Sequence, residues 1–173
     1  MIVSNTQLTE IASVLTRGEL VVLPTDTIYG IVASATNPQA LQKLIAAKQR
    51  SPHKPFITLI HRVEDLTLFG IQLSSAQAAA LNQLWPGQVS VVIGMAAFRL
   101  PALPWLRDLI ALTGPLAAPS ANPEGEPPAT TIEHARAYFG ERVSYYLDGG
   151  LVTGKASTLL KLEADGSTTT LRV

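Results

Sequence analysis

The chain contains no cysteine. A disulfide framework, a thiolate metal site and a cysteine nucleophile are therefore excluded. Histidine is scarce as well: His53, His61 and His134 are scattered through loop and exposed-helix contexts. Three isolated imidazoles do not make a metal cage, and each reads as a solvated side chain. An excess of either charge is also missing, since 13 basic residues balance 13 acidic ones, and no overall field draws the chain toward nucleic acid or an anionic membrane. Only a local basic patch would do that. No apolar run approaches the roughly 18 residues of a membrane span, and the opening MIVSNTQLTE has no charged segment followed by an apolar one. The chain is expected in the cytoplasm, with no membrane partner. Neither GxxxxGK followed by Ser or Thr nor GxGxxG occurs, so any phosphate site must be built another way. Aromatic residues make up 6%, and Trp85 and Trp105, each beside a proline, read as packing anchors rather than base-stacking platforms.

What is present is enough apolar material for a core, 47% of 173 residues, at a length that suits one domain spanning residues 1–173. TQLTEIASVLTRG carries Leu8, Ile11 and Leu15 at helical spacing and ends at Gly18, a good helix stop. ELVVLP follows as a short strand. NPQALQKLIAAKQR opens with Asn37 as N-cap and Pro38 at the first helical position. KPFITLI is the next strand, and VEDLTLF and SSAQAAALNQLW read as helices, the second stopped by Pro86 and Gly87. QVSVVIG and AAFRL read as strands, PWLRDLIALTG as a helix and PLAA as a strand. TTIEHARAYFG reads as a helix with Thr130 and Glu133 in capping-box register. STLLKLEADGSTTTLRV reads as two strands around a turn at Asp165 and Gly166. Such alternation predicts an α/β fold, a twisted mixed β-sheet flanked by helices.

Three polar clusters fall just after strands or at helix ends. VVLPTDTIYG begins as a buried strand and then crowds Thr25, Asp26, Thr27 and Tyr29 between a proline and a glycine. Pro, Thr and Asp favour turns, and ligands of α/β sheets sit beyond the carboxyl ends of strands, so a connection and a binding site both suit it. AAKQRSPHKP carries Lys48, Arg50 and Lys54 close together. Cations at a helix C-terminus complement its dipole, at well under ~1 kcal/mol each, and the same trio suits a phosphate. APSANPEGEPPATT places Ser120 and Asn122 on either side of Ala121 directly after a strand. Alternate positions of an extended backbone share one side, where both side chains can reach one ligand, although Ser and Asn are turn residues too.

Taken in order, these stretches resemble the YrdC-like domain of threonylcarbamoyl-AMP synthases. LPTDTIYGI resembles the family's Pro-Thr-(Asp/Glu)-Thr-x-Tyr-Gly stretch, and KQRSPHKP its Lys-x-Arg signature followed by Lys-Pro at a strand entry. WPG at 85–87, RLP at 99–101, PSAN at 119–122 and ST at 157–158 occur in the family's order, so the resemblance runs roughly from Leu20 to Thr158. It implies the YrdC-like fold in its short single-domain form, with a concave, polar, partly cationic site. It also implies a nucleotidyltransferase that makes L-threonylcarbamoyladenylate and pyrophosphate from ATP, L-threonine and bicarbonate, with Mg²⁺ accompanying ATP. The product would serve threonylcarbamoyladenosine formation in tRNA, which adds a downstream tRNA-modifying protein complex and a weak RNA contact as partners. By the same resemblance Lys48 and Arg50 are catalytic, Thr27, Arg99, Ser120 and Ser157 bind threonine, and Arg50, Lys54, Asn122 and Thr130 bind ATP. No side-chain metal ligands are implied.

The chain departs from the family pattern in two places. Relatives commonly carry about fifteen more residues between the strand after WPG and the Arg-x-Pro motif, whereas here SVVIG runs almost directly through MAAF into Arg99. The missing loop would lie near the nucleotide, which implies slow turnover or a partner that supplies a lid, unless the glycine-rich stretch from Gly149 to Lys155 covers the site instead. Leu59 stands where many relatives have a histidine in the threonine pocket, which implies a tuned amino-acid affinity. Two other functions stay open: a noncatalytic RNA-binding or assembly module, and a related carbamoyl or adenylyl transferase with another acceptor.

Overall fold

Local chemistry sets the helix boundaries of the chain, whose computed structural model describes residues 3–51 and 55–173. In α1 (Asn5–Thr16) Ser4 and Gln7 form a reciprocal capping box, and in α2 (Pro38–Lys48) Asn37 accepts from the N–H groups of Gln39 and Ala40 while Pro38 fills the first turn. Ser74 and Gln77 form a second capping box on α3 (Ser75–Leu84), and a proline opens α4 (Pro104–Thr113). Helix α5 (Ile132–Phe139) is capped by Thr131, whose hydroxyl accepts from the His134 N–H, one residue later than the Thr130 cap the sequence predicts. The Thr130 carbonyl instead accepts from the Val152 N–H of a neighbouring segment at 2.9 Å. Val63–Phe69, expected as a helix, is a 3₁₀ helix, and a short one covers Gly140–Arg142.

The strands are β1 (Val21–Pro24), β2 (Tyr29–Ser34), β3 (Ile57–Leu59), β4 (Val89–Ile93), β5 (Ala96–Arg99), β6 (Leu116–Ala117), β7 (Tyr145–Tyr146), β8 (Thr158–Leu162) and β9 (Thr168–Arg172). They form one mixed sheet in the order β7-β1-β2-β6-β3-β5-β4-β8-β9. The sequence reading has neither β2 nor β7. Strand β2 returns antiparallel along β1, pairing Val21 with Val32 and Pro24 with Tyr29, so residues 25–28 are the turn of a hairpin.

Burial of both sheet faces explains the apolar run of β1. Val21 and Leu23 pack with Ile11 and Leu15 of α1 and Leu106 and Leu109 of α4. Val22 turns the other way, toward Leu44 of α2 and Phe139 of α5. Farther along the sheet, Val91, Ile93 and Phe98 meet Leu66 of the 3₁₀ helix and Leu81 of α3. The opposite face of β4, β5 and β8, with Val92, Ala97, Arg99 and Leu159, is covered by no helix among the described residues and lines a cavity. Among the described residues no helix is long and apolar enough to cross a membrane.

Candidate functional site

The hairpin turn at residues 25–28 opens into that cavity, of about 300 Å³. Thr25 holds the turn: its N–H and hydroxyl donate to the Ile28 carbonyl at 3.1 and 2.7 Å, and its hydroxyl oxygen accepts from the N–H groups of Thr27 and Ile28. The Thr25 and Thr27 hydroxyls lie 2.9 Å apart. Arg99 Nη1 donates to the same Thr27 oxygen at 2.9 Å. Thr27 accepts from Arg99 on one lone pair and keeps the other, with which it can accept from a ligand.

Arg99, from β5, is 4% exposed and lies between Thr27 and Asp26, whose Oδ1 is 3.3 Å from Nη2. Asp26 is fixed in turn: its Oδ2 accepts from the Ala102 N–H at 3.0 Å and its carbonyl from the Gln88 amide. Burial lowers the pKa of Arg99 and the Asp26 charge raises it. A guanidinium stays charged under both influences. Its Nε–H, buried and without a hydrogen-bond partner among the described residues, is an unused donor on a residue that lines the cavity. A carboxylate is the group that matches it.

Arg50 enters from the end of α2. Gln49 adopts a left-handed conformation with φ 51°, which turns the chain out of the helix and sends Arg50 to the cavity. The Arg50 guanidinium stands 5.1 Å from the Phe56 ring centroid and Nη2 donates to the Pro55 carbonyl at 3.1 Å. Its Nε is buried without a partner among the described residues. Ser120 reaches the cavity from the segment after β6, where its backbone bridges to Gly30 and the Ala121 N–H donates to the Tyr29 carbonyl at 2.8 Å. Ser157, 4% exposed, lies 2.8 Å from the hydroxyl of Ser90 on β4.

Thr27, Arg50, Arg99, Ser120 and Ser157 therefore meet around one cavity, whereas Lys48, Asn122 and Thr130 do not line it. Lys48 is 2% exposed, with its ammonium on two backbone carbonyls. Asn122 donates both amide protons to its own loop, to the Pro123 and Glu126 carbonyls at 2.9 and 2.6 Å. Thr130 is exposed, and Lys54 and His53 lie outside the described residues. Leu59 is fully buried in the core beside Leu106 and Leu116 rather than lining the cavity.

Arg172 is a cavity residue that sequence reasoning missed. Strands β8 and β9 pair Leu159 with Arg172 and Leu160 with Thr170, so Leu171 is an extra residue in a bulge. The bulge puts Arg172 on the same face as Leu159, toward the cavity, where its Nη2 donates to the Ser157 carbonyl at 2.9 Å. Ser90 does not line the cavity but, fully buried, holds the Ser157 hydroxyl from behind it.

The tight β4–β5 hairpin supplies no cover. Gly94 and Met95 form its whole turn, with φ 63° at Gly94, and Met95 is 95% exposed. Residues 149–157 lie against the site instead. The Tyr29 hydroxyl accepts from the Gly149 N–H and donates to the Gly150 carbonyl, both at 2.8 Å. Gly154 approaches the hairpin so closely that a Cβ there would stand 1.9 Å from the Thr27 carbonyl oxygen.

A mixed α/β sheet holding this constellation can be compared with known proteins. The family model named for Sua5, YciO and YrdC, described as telomere recombination, matches residues 13–173. The chain belongs to this family. It is 34% identical over 160 residues to the threonylcarbamoyl-AMP synthase of Chromohalobacter salexigens, across 84% of this chain and 86% of that protein. To the threonylcarbamoyl-AMP synthase of Bacillus subtilis it is 33% identical over 179 residues, across 92% of this chain and 51% of that one. The crystal structure of Pyrococcus abyssi Sua5 complexed with L-threonine superposes with a TM-score of 0.88 at 28% identity, covering 99% of this chain and 55% of that chain. The chain thus spans about half the length of two of these Sua5, YciO and YrdC relatives. At 17% identity and a TM-score of 0.83, Escherichia coli YciO shows the shared fold alone.

Proposed function

We infer that the chain is a threonylcarbamoyl-AMP synthase, making L-threonylcarbamoyladenylate and pyrophosphate from L-threonine, bicarbonate and ATP. The observation that carries this reading is one cavity in which a hydroxyl-acceptor and guanidinium pair, Thr27 and Arg99, lies with two further arginines, Arg50 and Arg172. Arg99 takes the threonine carboxylate, and the lone pair of Thr27 accepts from its hydroxyl or amine. The threonine nitrogen bonds to the bicarbonate carbon with loss of water, giving a carbamate. A carbamate oxygen then attacks the α-phosphorus of ATP, the bond from that phosphorus to the bridging oxygen breaks, and pyrophosphate leaves with the electron pair. Arg50 and Arg172 supply fixed positive charge for the phosphate oxygens, in a site where charge does not have to be reorganised from solvent.

Mg²⁺ belongs to the proposal as the counter-ion of ATP. Among the described residues the cavity lining contains no carboxylate, and no group of three His, Asp or Glu could hold a metal. A protein-built cage does not match these residues, so the ion would be held by the nucleotide's own phosphates, and no step above is routed through it. The product is a mixed anhydride that water hydrolyses, which supports delivery to a downstream tRNA-modifying complex. Balanced charge limits direct RNA contact to a weak one.

Purified protein with ATP, bicarbonate and L-threonine should release pyrophosphate in a threonine-dependent way. Binding of neither ATP nor threonine would leave a noncatalytic module as the better account.

A further inference from the structure

Lys48 ends α2, yet its side chain does not follow Arg50 into the cavity. Its ammonium donates to the Ser120 carbonyl at 2.6 Å and to the Asn122 carbonyl at 2.5 Å. Its own carbonyl accepts from the Glu124 N–H at 2.8 Å, so backbone and side chain of one residue hold the same loop. The loop is otherwise tied down by the Ala121 N–H on Tyr29 and the Ala129 N–H on the Ala121 carbonyl. Two residues past Lys48 stands Arg50, and at the other end of the clamp stands Ser120, both lining the cavity.

We propose that Lys48 is a positioning residue of the active site: its buried ammonium fastens residues 120–124 to the C-terminal end of α2 and thereby sets Arg50 relative to the Ser120 hydroxyl. The role rests on the synthase reading for its catalytic consequence, but the clamp itself does not. Lysine suits the task because a helix C-terminus favours a cation and the ammonium has enough N–H groups for two converging carbonyls. Burial brings its pKa down to about 8, with the Arg50 charge adding to the fall and Glu124 opposing it. A neutral amine still has two N–H donors, so both carbonyls keep a partner on either side of that pH.

Lys48→Met keeps the length and removes the donors, and Lys48→Arg keeps donors on a bulkier head. Hydrogen exchange reads the clamp at the Ala121, Asn122, Glu124 and Ala129 amides, pyrophosphate release gives kcat and KM, and calorimetry gives threonine affinity. Lys48→Met should expose those amides and raise KM for ATP and lower kcat by on the order of tenfold to a hundredfold together. Threonine affinity, carried mainly by Thr27 and Arg99 with Ser120 contributing, should fall by less than the change in KM for ATP. Lys48→Arg should recover amide protection and activity in proportion. A folded variant that loses activity while its loop amides stay protected would overturn the proposal, as would Lys48→Met with wild-type exchange and rates. If Lys48→Met does not fold, Lys48→Arg decides, by whether activity follows protection. Should wild-type protein release no pyrophosphate, the functional reading fails, and exchange still tests the clamp.

Discussion

Arg50 and Arg99 are both cavity arginines, but their surroundings predict different responses to substitution. Arg50 donates one hydrogen bond to the Pro55 carbonyl beside the Phe56 ring, so Arg50→Ala should fold normally and weaken ATP binding by about 1 to 3 kcal/mol, readable by calorimetric titration. Unchanged ATP affinity would return this cation to the solvated surface of a helix end. Arg99 is paired at 3.3 Å with an Asp26 whose side chain is 6% exposed. Asp26→Asn leaves a buried guanidinium without its counter-charge, and chemical denaturation should show a loss of about 3 kcal/mol or more. Thr27 sets the amino-acid choice: serine should replace threonine at a cost of roughly 1 to 3 kcal/mol in kcat/KM, and valine should fare much worse because the Thr27 acceptor would face a methyl group. Equal pyrophosphate release with threonine and valine would contradict a hydroxyl-reading pocket.

At the scale of elements, residues 149–157 lie against the site, where the two-residue β4–β5 turn supplies no cover. Their docking rests on Tyr29 at one end and on the close approach of Gly154 to Thr27 at the other. Gly154→Ala forces the segment away from a backbone oxygen that cannot yield, so KM for threonine should rise on the order of tenfold while the β4–β5 hairpin keeps its exchange protection. Wild-type KM in the alanine variant would mean that this segment does not wall the site. The bulge at Leu171 is the second such device: in an unbroken register Leu171 would stand opposite Leu159, and the extra residue is what brings Arg172 opposite Leu159 and onto the cavity face.

The whole molecule records the buried Lys48 in its stability. Its pKa falls from 10.5 to about 8 on folding. Below about pH 8 both folded and unfolded chains hold the proton, and the cost of burying the charge is fully present. Between about 8 and 10.5 the unfolded chain binds more protons, so this group makes stability rise with pH. Tyr29, raised by burial above its ordinary 10.0, acts the opposite way at the top of that range. Urea midpoints of wild type minus Lys48→Met, taken from pH 7 to 10, isolate the lysine contribution. A flat difference would mean that Lys48 is not desolvated.

Local rules were enough for α1 to α4, for the paired strands around Asp165 and Gly166, and for the order of the polar motifs, because caps, prolines and apolar spacing act within a few residues. They missed β2, whose polar lead-in at residues 25–28 reads as a loop until its pairing with β1 is seen. They also put the α5 cap at Thr130, since the Val152 N–H that occupies its carbonyl lies far along the chain. That Thr27, Arg50, Arg99, Ser120 and Ser157 would share one cavity was legible through their motif order, but the direction of each side chain was not. Lys48 and Arg50 are two residues apart in one cationic stretch, and only the left-handed turn at Gln49 and the carbonyls of a distant loop send one into the core and the other to the cavity. Arg172 has no motif at all and depends on one bulge. Sequence spacing fixes which groups are near along the chain, and the sheet order and its irregularities decide which of them face the same space.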